Sequence, residues 1–509
     1  AFGKPLASDA TASEVRSAVA ELAADNFTAR RNTSELLSTR FFRQARRTPR
    51  RFCMADSTGK RLSYAQAMVA GMALSRAIRR RCRGEEMVGI MLPNSVMAAL
   101  INVAVTVLGK VPVNLNFTAS EDALSTAIKT CGIKTVFTSR TFLGKAGLRE
   151  REGMVHLEEF LSESRQGDKI VAWLGFWLLP HWLLKHVYRS DRRRNTRSLA
   201  TVMFSSGSTG TPKGVMLSHA NVNSNIEGLY QVLRLGPADT VLGILPLFHS
   251  FGFTGTLWFP LTTGRSVVFH SNPLDFKVVG ELVHEYQAAI LTATPTFLMG
   301  YLRKCTAEQF ASLQHVVVGA EKLKERLAAS FKKKFGICPL EGYGCTELSP
   351  IVSLNVPDIV LADMTQKGSK QGTIGQPLPG IAAKIVDPDT FEALPCGTEG
   401  LLLIKGPNVM LGYLGNEEKT REVMHGDWYA TGDVAVIDGD GFITITDRLS
   451  RFSKIGGEMV PHIKVEEQLH ELGSLTDQTF ALTGVPDERK GERLVVLYQN
   501  LDESAVQSI

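Results

Sequence analysis

The stretch that decides how this chain folds and what it binds is Phe204-Ser205-Ser206-Gly207-Ser208-Thr209-Gly210-Thr211-Pro212-Lys213-Gly214. Short apolar runs flank it, Thr201 to Phe204 and Val215 to Leu217, so we expect a loop between two strands. Its glycines let backbone N–H groups approach a polyphosphate, while its hydroxyls and one lysine add donors and a compact positive charge. The stretch therefore predicts a phosphate-binding loop formed by Ser205, Ser206, Gly207, Ser208, Thr209, Gly210 and Lys213.

This loop differs from the P-loop of kinases and ATPases. That motif requires Gly immediately before its lysine and Ser or Thr after it, whereas Lys213 lies between Pro212 and Gly214. A ligand-free hairpin loop rich in Ser and Gly is the alternative that the pattern alone leaves open.

The composition is that of a large soluble enzyme. The chain has 509 residues, of which 44% are hydrophobic and 21% charged, and this length suits two or more domains. The formal net charge of +6 is concentrated in basic runs at Arg40 to Arg51 and Arg79 to Arg83, which fit either a solvated helix face or an anionic partner. We expect no nucleic acid among the partners. Seven scattered cysteines without a C-x-x-C pair favour a reducing compartment over a disulfide scaffold or a zinc site.

Six more motifs follow the loop in order along the chain. They are Leu245-Pro246-Leu247-Phe248-His249-Ser250-Phe251-Gly252, Gly319-Ala320-Glu321, Gly342-Tyr343-Gly344-Cys345-Thr346-Glu347, Trp428-Tyr429-Ala430-Thr431-Gly432-Asp433, Asp447-Arg448 and Lys454-Ile455-Gly456-Gly457-Glu458. With the loop, this order resembles the adenylate-forming superfamily of acyl-CoA synthetases and luciferases, over roughly residues 30 to 509. The resemblance implies an α/β fold. Residues 31–448 would form a large domain of two α/β subdomains and a distorted β-barrel, and residues 449–509 part of a small, mobile α+β domain.

The resemblance also assigns roles around ATP and Mg²⁺. The loop would hold the β- and γ-phosphates, Glu347 would bind Mg²⁺ as a lone carboxylate, and Thr346 would contact the α-phosphate. Asp433 would accept hydrogen bonds from the ribose, and Arg448 would add a second ribose or phosphate contact. The adenine slot would be lined by Gly319, Ala320, Glu321 and Tyr343. The catalytic set is then Lys213, His249, Thr346, Glu347 and Arg448.

The acyl pocket is predicted after His249. In the family this histidine borders the substrate carboxylate, although a histidine beside phenylalanines also suits a core position. The expected lining is Phe251, Gly252, Trp258 and Gly319. An apolar, glycine-rich lining suits a long-chain fatty acid better than an amino acid, whose ammonium would need a buried carboxylate. Core packing is the alternative for each aromatic residue.

Two further segments bear on partners. Residues 1–30, with Phe2-Gly3-Lys4-Pro5-Leu6 and a helical pattern of Val15, Val19, Leu22 and Ala23, resemble the end of a glycerophospholipid acyltransferase domain. In one bacterial family such a domain precedes an acyl-acyl carrier protein synthetase; a plain amphipathic helix is the alternative.

Residues 170–197 join an uncharged, Trp-rich stretch to a basic cluster, which predicts peripheral binding to an anionic membrane, at the cytoplasmic face of a bacterial inner membrane. A buried hairpin with a solvated basic tail is the other interpretation.

Two departures from the family pattern concern the last part of the chain. Ser450 stands where the family usually has Lys or Asp at the hinge between domains. The late Gly-Lys motif, whose lysine reaches the α-phosphate, is not matched by Lys490-Gly491, which has the reverse order. From the sequence as given we therefore expect a truncated small domain and weak adenylation.

These observations predict a ligase that activates a long-chain fatty acid as acyl-AMP. The expected acceptor is acyl carrier protein, in salvage of fatty acids or lysophospholipids, with coenzyme A as the alternative acceptor. Both are negatively charged, which suits the basic excess of the chain. A non-catalytic membrane module that binds nucleotide or fatty acid is the hypothesis from a different class.

Overall fold

The fold is described from a computed structural model. The structure describes residues 3–30, 35–162, 165–180, 183, 187–188, 195–205, 212–361, 364–455, 458–473, 479–487, 491–499 and 501. Within these ranges the strands assemble into six sheets.

A nine-stranded sheet forms the centre of the large domain. From edge to edge its strands are Gln376–Pro377, Ile351–Leu354, Leu340–Gly344, His315–Val318, Ala288–Ala293, Thr240–Gly243, Ser266–Phe269, Phe52–Asp56 and Arg61–Ser63. The six strands from Leu340–Gly344 to Phe52–Asp56 are parallel, and the strands at both edges are antiparallel. Parallel strands need both faces covered, and all of these strands except Leu340–Gly344 are accordingly buried over nearly their whole length.

Helices cover both faces of this sheet. Val241 and Leu242 illustrate the two sides, because these neighbours on one strand belong to different hydrophobic cores. The core around Leu242 also contains apolar residues of three helices, Phe276–Tyr286, Pro295–Lys304 and Glu325–Phe335. The larger core around Val241 includes residues of the helices Leu37–Arg47, Tyr64–Arg81, Val96–Val107, His219–Val232 and Phe259–Thr263 and of a π-helical turn at Gly252–Trp258.

A second parallel sheet has the strand order Val111–Asn114, Met87–Ile90, Val136–Thr138 and Met154–His156. The helices Glu121–Thr130, Arg140–Ala146 and Leu157–Ser162 lie between or after its strands in the chain. A three-stranded sheet of Leu199–Ser205, Lys213–Ser218 and Gly412–Tyr413 adjoins it, where Thr201 donates to the carbonyl of Pro112 at 2.8 Å.

The remaining strands form three smaller sheets. The barrel-like sheet contains Ala382–Val386, Gly400–Lys405, Met424–His425, Trp428–Ile437 and Ile443–Arg448, with the helix Glu417–Val423 beside it. Ile359–Leu361 and Met364–Gln366 form a short hairpin. After the 3₁₀ turn Leu449–Arg451, a last sheet is made by Phe452–Ile455, Glu458–Pro461, Phe480–Asp487 and Gly491–Tyr498, with the helix His462–Leu472.

Short apolar runs that alternate with helical patterns along the sequence predict an α/β class with mostly parallel strands, and that class is confirmed. Met87 to Leu92, Val111 to Leu115 and Thr135 to Thr138 contain strands. The run Leu100 to Leu108 instead forms the end of the helix Val96–Val107 and its cap residue. All but one of that helix's twelve residues are buried, so its sequence lacks the polar face that reveals a helical period.

The N-terminal helix Ala12–Ala29 packs against the barrel-like sheet. It begins with a capping box between Thr11 and Glu14, and Asp25 forms an ion pair with Lys405 at 2.7 Å. The predicted apolar face is not buried, because Val15 and Val19 are 42% and 61% exposed.

The Trp-rich segment is helical over Gln166–Leu178, which we call the Trp helix. Its buried residues Ala172 and Phe176 belong to the large core, and buried Asp168 pairs with Arg76 and Arg80 at 2.9 and 2.6 Å. In the part of the chain that the structure describes, no helix combines the length and the apolar character needed to cross a bilayer.

Gly375 provides a test of how the central sheet joins the barrel-like sheet. Its backbone has φ +80°, and a Cβ there would lie 2.1 Å from the carbonyl carbon of Leu354. Gly372 has a similar φ of +76° with open space around it. Both Gly→Ala variants should lose about 1–2 kcal/mol to the left-handed backbone, and only Gly375→Ala should add a backbone clash. We expect Gly375→Ala to lower the thermal unfolding midpoint clearly more than Gly372→Ala, measured by circular dichroism. Equal midpoints would contradict this account.

Candidate functional site

The predicted phosphate loop is carried by an antiparallel hairpin. Ser205 and Lys213 end its two strands and face each other in register. Residues 206–211 lie outside the described residues, so the predictions for Ser206, Gly207, Ser208, Thr209 and Gly210 are left as predictions. The Lys213 ammonium lies 5.5 Å from the centroid of the Tyr413 ring, within cation–π range. The hairpin thus presents a lysine at the mouth of the loop.

Glu347 lies in a 3₁₀ turn, Thr346–Leu348, just after the central strand Leu340–Gly344. It is buried, and its Oε1 accepts a hydrogen bond from the Tyr413 hydroxyl at 2.9 Å. Burial, and next the nearby Glu347 carboxylate, raise the pKa of Tyr413 above its ordinary range. Tyr413 therefore stays a neutral donor that joins Lys213 and Glu347.

Tyr413 was not predicted as a site residue. It reaches the site because Gly412–Tyr413 pairs with the strand that begins at Lys213, far away in the sequence. No local motif marks it, and only this long-range pairing could have revealed its position.

Asp433 is the centre of a second polar group. It is buried and directly opposite Arg448 on the neighbouring strand, whose Nε donates to Oδ1 at 2.8 Å. The Tyr343 hydroxyl donates to Oδ2. The Asp433 charge raises the pKa of Arg448, and burial, followed by the Asp433 charge, raises that of Tyr343 well above its usual range. Because each carboxylate oxygen accepts two hydrogen bonds, Asp433 keeps capacity for a further donor.

The predicted adenine-slot residues follow the central strand His315–Val318. Gly319 donates its N–H to the carbonyl of Ala293 at 3.3 Å, and Ala320 has a left-handed φ of +70°. Glu321 lies at the surface, where its Oε2 accepts from the Thr296 hydroxyl at 2.8 Å. This segment is therefore held to the neighbouring strand and to the start of the helix Pro295–Lys304.

His249 is exposed and lies between the strand Thr240–Gly243 and the π-helical turn Gly252–Trp258. Solvent reaches its side chain, yet the protein around it lowers the pKa of the imidazole through desolvation. Its ring centroid is 4.8 Å from that of Phe248. The structure thus places an imidazole that stays neutral at neutral pH beside the Phe248 ring and two residues before Phe251.

A small apolar cavity of about 20 Å³ lies between the central sheet, the helix His219–Val232 and the segment of the π-helical turn, with room for about one water. It is lined by Leu229, Leu233, Val241, Phe251, Gly255, Phe259, Ile290, Thr292, Val317 and Ile351. Phe251, Gly255 and Phe259 recur every four residues along the segment of the π-helical turn, so they share one face. A Cβ on Gly319 would lie 4.0 Å from the Phe251 ring and 3.3 Å from the carbonyl of Gly342. Gly319 therefore adjoins both Phe251, in the cavity wall, and the strand that carries Tyr343.

Of the predicted pocket residues, Phe251 lines this cavity and Gly319 adjoins it. Gly252 instead packs against backbone, because a Cβ there would lie 2.1 Å from the carbonyl oxygen of Pro246. Trp258 is fully buried and makes an edge contact with Phe253, at 6.2 Å between centroids. The cavity residues contributed by the strands were missed, because strand order cannot be inferred from local sequence.

Comparison with known proteins identifies the family. Residues 41–414 match the family described as AMP-binding enzyme. A long-chain-fatty-acid–CoA ligase of Salmonella typhimurium is 32% identical over 317 residues, which cover 61% of this chain and 54% of that enzyme. A probable CoA ligase of Humulus lupulus is 27% identical over 446 residues, 86% of this chain and 78% of the relative. The match thus spans only about half of the Salmonella enzyme.

Solved structures share the fold. The o-succinylbenzoate-CoA synthetase of Bacillus subtilis in complex with its acyl-adenylate intermediate has a TM-score of 0.76 and 21% identity, over 92% of this chain and 90% of that one. ATP-bound MatB from Rhodopseudomonas palustris has a TM-score of 0.73 and 24% identity, over 92% and 91%. The predicted α/β fold of adenylate-forming enzymes is therefore confirmed.

The environment of His249 predicts its titration. Because desolvation lowers its pKa, we expect the imidazole to titrate below about 6.5. The pKa of His249 is lower in the folded chain than in the unfolded chain, so between these two values the unfolded chain binds a proton that the folded chain does not. Protonation of His249 therefore lowers the free energy of unfolding as the pH falls below the unfolded pKa. NMR of histidine-labelled protein, with His249→Gln for assignment, would measure the midpoint. A midpoint at or above the ordinary value would contradict the prediction.

Proposed function

Because this chain belongs to the AMP-binding enzyme family, we propose that it activates a long-chain fatty acid with ATP and passes the acyl group to a thiol. The observation that carries the proposal is the position of one segment, Gly342 to Glu347. It supplies Tyr343 to the Asp433 group and Glu347 to the Lys213 group, and its Gly342 carbonyl oxygen lies 3.3 Å from the position of a Cβ on Gly319. The groups that would hold the ribose, the phosphates and the adenine thus meet at one segment.

The reaction follows from the chemistry of a carboxylate, whose oxide would be a poor leaving group. One carboxylate oxygen attacks the α-phosphorus of ATP; the new P–O bond forms as the bond to pyrophosphate breaks, and pyrophosphate takes the electron pair. A thiolate then attacks the acyl carbonyl, AMP leaves with the bonding electrons, and the thiol proton has gone to solvent. Lys213 would neutralise phosphate charge, while Thr346 would donate to the α-phosphate.

Asp433 and Arg448 would position the nucleotide. The buried Asp433 carboxylate, already oriented by Tyr343 and Arg448, would accept ribose hydroxyls. The adenine would lie along Gly319, Ala320 and Glu321. His249, held neutral by its surroundings, would border the substrate carboxylate as a hydrogen-bonding group that adds no positive charge at neutral pH.

Mg²⁺ is implied by the family, and the residues present fit it. Mg²⁺ prefers oxygen ligands and usually takes one or two protein carboxylates together with substrate phosphates. Glu347 supplies one buried carboxylate, and the described residues contain no group of three or more His, Cys, Asp or Glu that would hold a metal alone. Glu347 would therefore hold Mg²⁺ that arrives with ATP, and the ion would neutralise charge on the phosphates.

We propose acyl carrier protein as the acceptor, in salvage of fatty acids or lysophospholipids, with an acyltransferase domain fused ahead of residues 1–30. The net charge of +6 suits an acidic carrier protein. Coenzyme A is the second candidate, because the relatives from Salmonella typhimurium and Humulus lupulus are named as CoA ligases. A non-catalytic binding module is the third.

The first test is pyrophosphate release with Mg-ATP and a long-chain fatty acid, in three arms: without acceptor, with coenzyme A and with acyl carrier protein. We expect turnover with carrier protein, and at least a tenfold loss in Glu347→Gln, because the carboxylate that would hold Mg²⁺ against the phosphates is removed. The matched control is Glu281→Gln, which changes an exposed glutamate paired with Lys277 and should leave turnover unchanged.

The arms separate the candidates. Turnover with coenzyme A alone would reassign the acceptor. ATP binding without pyrophosphate release in any arm would reject the ligase and favour the binding module. An equal loss of turnover in Glu347→Gln and Glu281→Gln would show that the loss does not depend on the proposed metal site.

We also propose that the Trp helix binds an anionic membrane surface, which would place the chain at the cytoplasmic face of a bacterial inner membrane. Its outward residues recur at helical spacing and are 39–73% exposed: Ile170, Val171, Trp173, Leu174, Trp177 and Leu178. Exposed apolar patches of this kind mark interaction sites. Arg46 is exposed beside it and donates to the carbonyls of Trp177 and Leu179. Indole rings next to arginines suit the headgroup region.

The double variant Trp173→Ser/Trp177→Ser should weaken binding to vesicles of phosphatidylethanolamine and phosphatidylglycerol by at least about tenfold. The reason is that two indole rings no longer transfer from water to the membrane interface. Co-sedimentation at several salt concentrations would measure it. Leu274→Ser, which changes another exposed apolar residue at 56% exposure, is the matched control. Unchanged binding by the double variant would reject this surface.

A further inference from the structure

One tyrosine side chain contacts both a cation and an anion of the site. The Lys213 ammonium lies 5.5 Å from the centroid of the Tyr413 ring, and the Tyr413 hydroxyl donates to Oε1 of Glu347 at 2.9 Å. Of the ion pairs between residues that the structure describes, none includes Lys213 or Glu347. Within these residues, the two opposite charges thus contact one ring and do not neutralise each other.

A neutral tyrosine can hold both charges at once because its surface is polarised. The face of the ring carries partial negative charge and attracts an ammonium, whereas the hydroxyl hydrogen is positive and donates to a carboxylate. Burial, followed by the Glu347 charge, raises the pKa of Tyr413 above its ordinary range, so the phenol keeps that hydrogen at neutral pH. Neither contact neutralises the side chain that it holds.

The backbone fixes Tyr413 against the two groups. Tyr413 pairs with Val215, two residues after Lys213, and its N–H donates to the Thr420 hydroxyl oxygen at 2.9 Å. Its side chain is only 4% exposed. Because the ring is buried and its strand is hydrogen-bonded, the ring keeps its position beside both charged side chains.

Packing alone does not require a tyrosine at this position. Phenylalanine has the same ring and would fill the same core, but it would leave the Glu347 carboxylate without this donor. Leucine is apolar and suits the same core, but it offers an ammonium no attractive ring face. The ring and the hydroxyl of Tyr413 thus each act on a different charged group, and the two actions can be removed one at a time.

We propose that Tyr413 is a positioning residue that keeps Lys213 and Glu347 from pairing with each other, so that Lys213 remains available to a phosphate and Glu347 to Mg²⁺. The inference rests on the proposed function, ATP-dependent fatty acid activation. Without the ring, the ammonium would turn to the buried carboxylate, since opposite charges attract strongly where water is scarce. A substrate phosphate would then have to break that ion pair before it bound Lys213.

The test measures ATP binding without Mg²⁺, by isothermal titration calorimetry in EDTA, which examines Lys213 apart from the metal and apart from turnover. We expect Tyr413→Leu to raise the Kd for ATP by at least about tenfold, because Glu347 then pairs with the ammonium. Tyr413→Phe keeps the ring face and should leave this Kd nearly unchanged. Tyr413→Phe should instead raise the Mg²⁺ concentration for half-maximal pyrophosphate release, because Glu347 loses the donor that orients it.

A double-mutant cycle separates ion pairing from a general disturbance of the site. In Glu347→Gln the carboxylate is gone, so addition of Tyr413→Leu should leave the Kd for ATP in EDTA nearly unchanged. The matched control is Tyr230→Leu, because the Tyr230 ring also contacts a cation, with the guanidinium carbon of Arg265 at 4.7 Å from its centroid. Tyr230→Leu should bind ATP like the unchanged chain.

The outcomes distinguish this inference from the function on which it rests. An equal loss of ATP affinity from Tyr413→Leu with and without the Glu347 carboxylate would overturn the inference and leave the proposed function intact. A loss of similar size in Tyr413→Phe, or ATP binding by the unchanged chain only when Mg²⁺ is present, would do the same. No ATP binding by the unchanged chain, with or without Mg²⁺, would overturn both.

Discussion

The hydrogen bond from the Tyr413 hydroxyl to the Glu347 carboxylate is the interaction on which the geometry of the site depends. The segment that carries Tyr413 bonds on one side to the phosphate-loop hairpin, through Leu411 to Met216, and on the other to the turn of Glu347, whose carbonyl accepts from Met410 at 2.8 Å. Loss of that donor would leave a buried carboxylate without its tyrosine partner, at a cost of about 1–3 kcal/mol. Lys213 and Glu347 therefore keep their relative position because Tyr413 contacts both side chains.

The same arrangement recurs at Asp433, where a buried carboxylate also receives a tyrosine hydroxyl, that of Tyr343. In both pairs, burial and the nearby negative charge raise the pKa of the tyrosine, so each stays protonated and donating at physiological pH. The Arg448 side chain, which is 65% exposed, adds a positive charge beside Asp433. Arg448 is also the last residue before the turn that leads into the last sheet of the chain. Fixed donors orient both carboxylates before any ligand binds, which is what electrostatic preorganisation requires.

Sequence reasoning succeeded where the determining contacts are local. The two strands that carry Ser205 and Lys213 follow from the short apolar runs that flank the phosphate loop. The hairpin between Val434 and Thr446 follows from two such runs on either side of the turn residues Asp438-Gly439-Asp440-Gly441. Sequence reasoning failed where contacts between residues far apart in the chain determine the structure. Leu100 to Leu108 is buried on all sides and so shows no period, and Trp258, which looked like a pocket wall, faces the core. The cavity wall combines residues from four strands of the central sheet, whose order is a property of the whole sheet.

The exposed apolar face of the Trp helix bears on how a lipid substrate would be selected. A chain that passes from water into an apolar pocket gains about 0.8 kcal/mol for each CH₂ it buries. A chain that passes from a bilayer into the same pocket leaves surroundings that are equally apolar, so that gain largely disappears. Selection would then depend on the polar groups that meet the carboxyl end of the chain, because a membrane supplies many chains that satisfy an apolar lining equally.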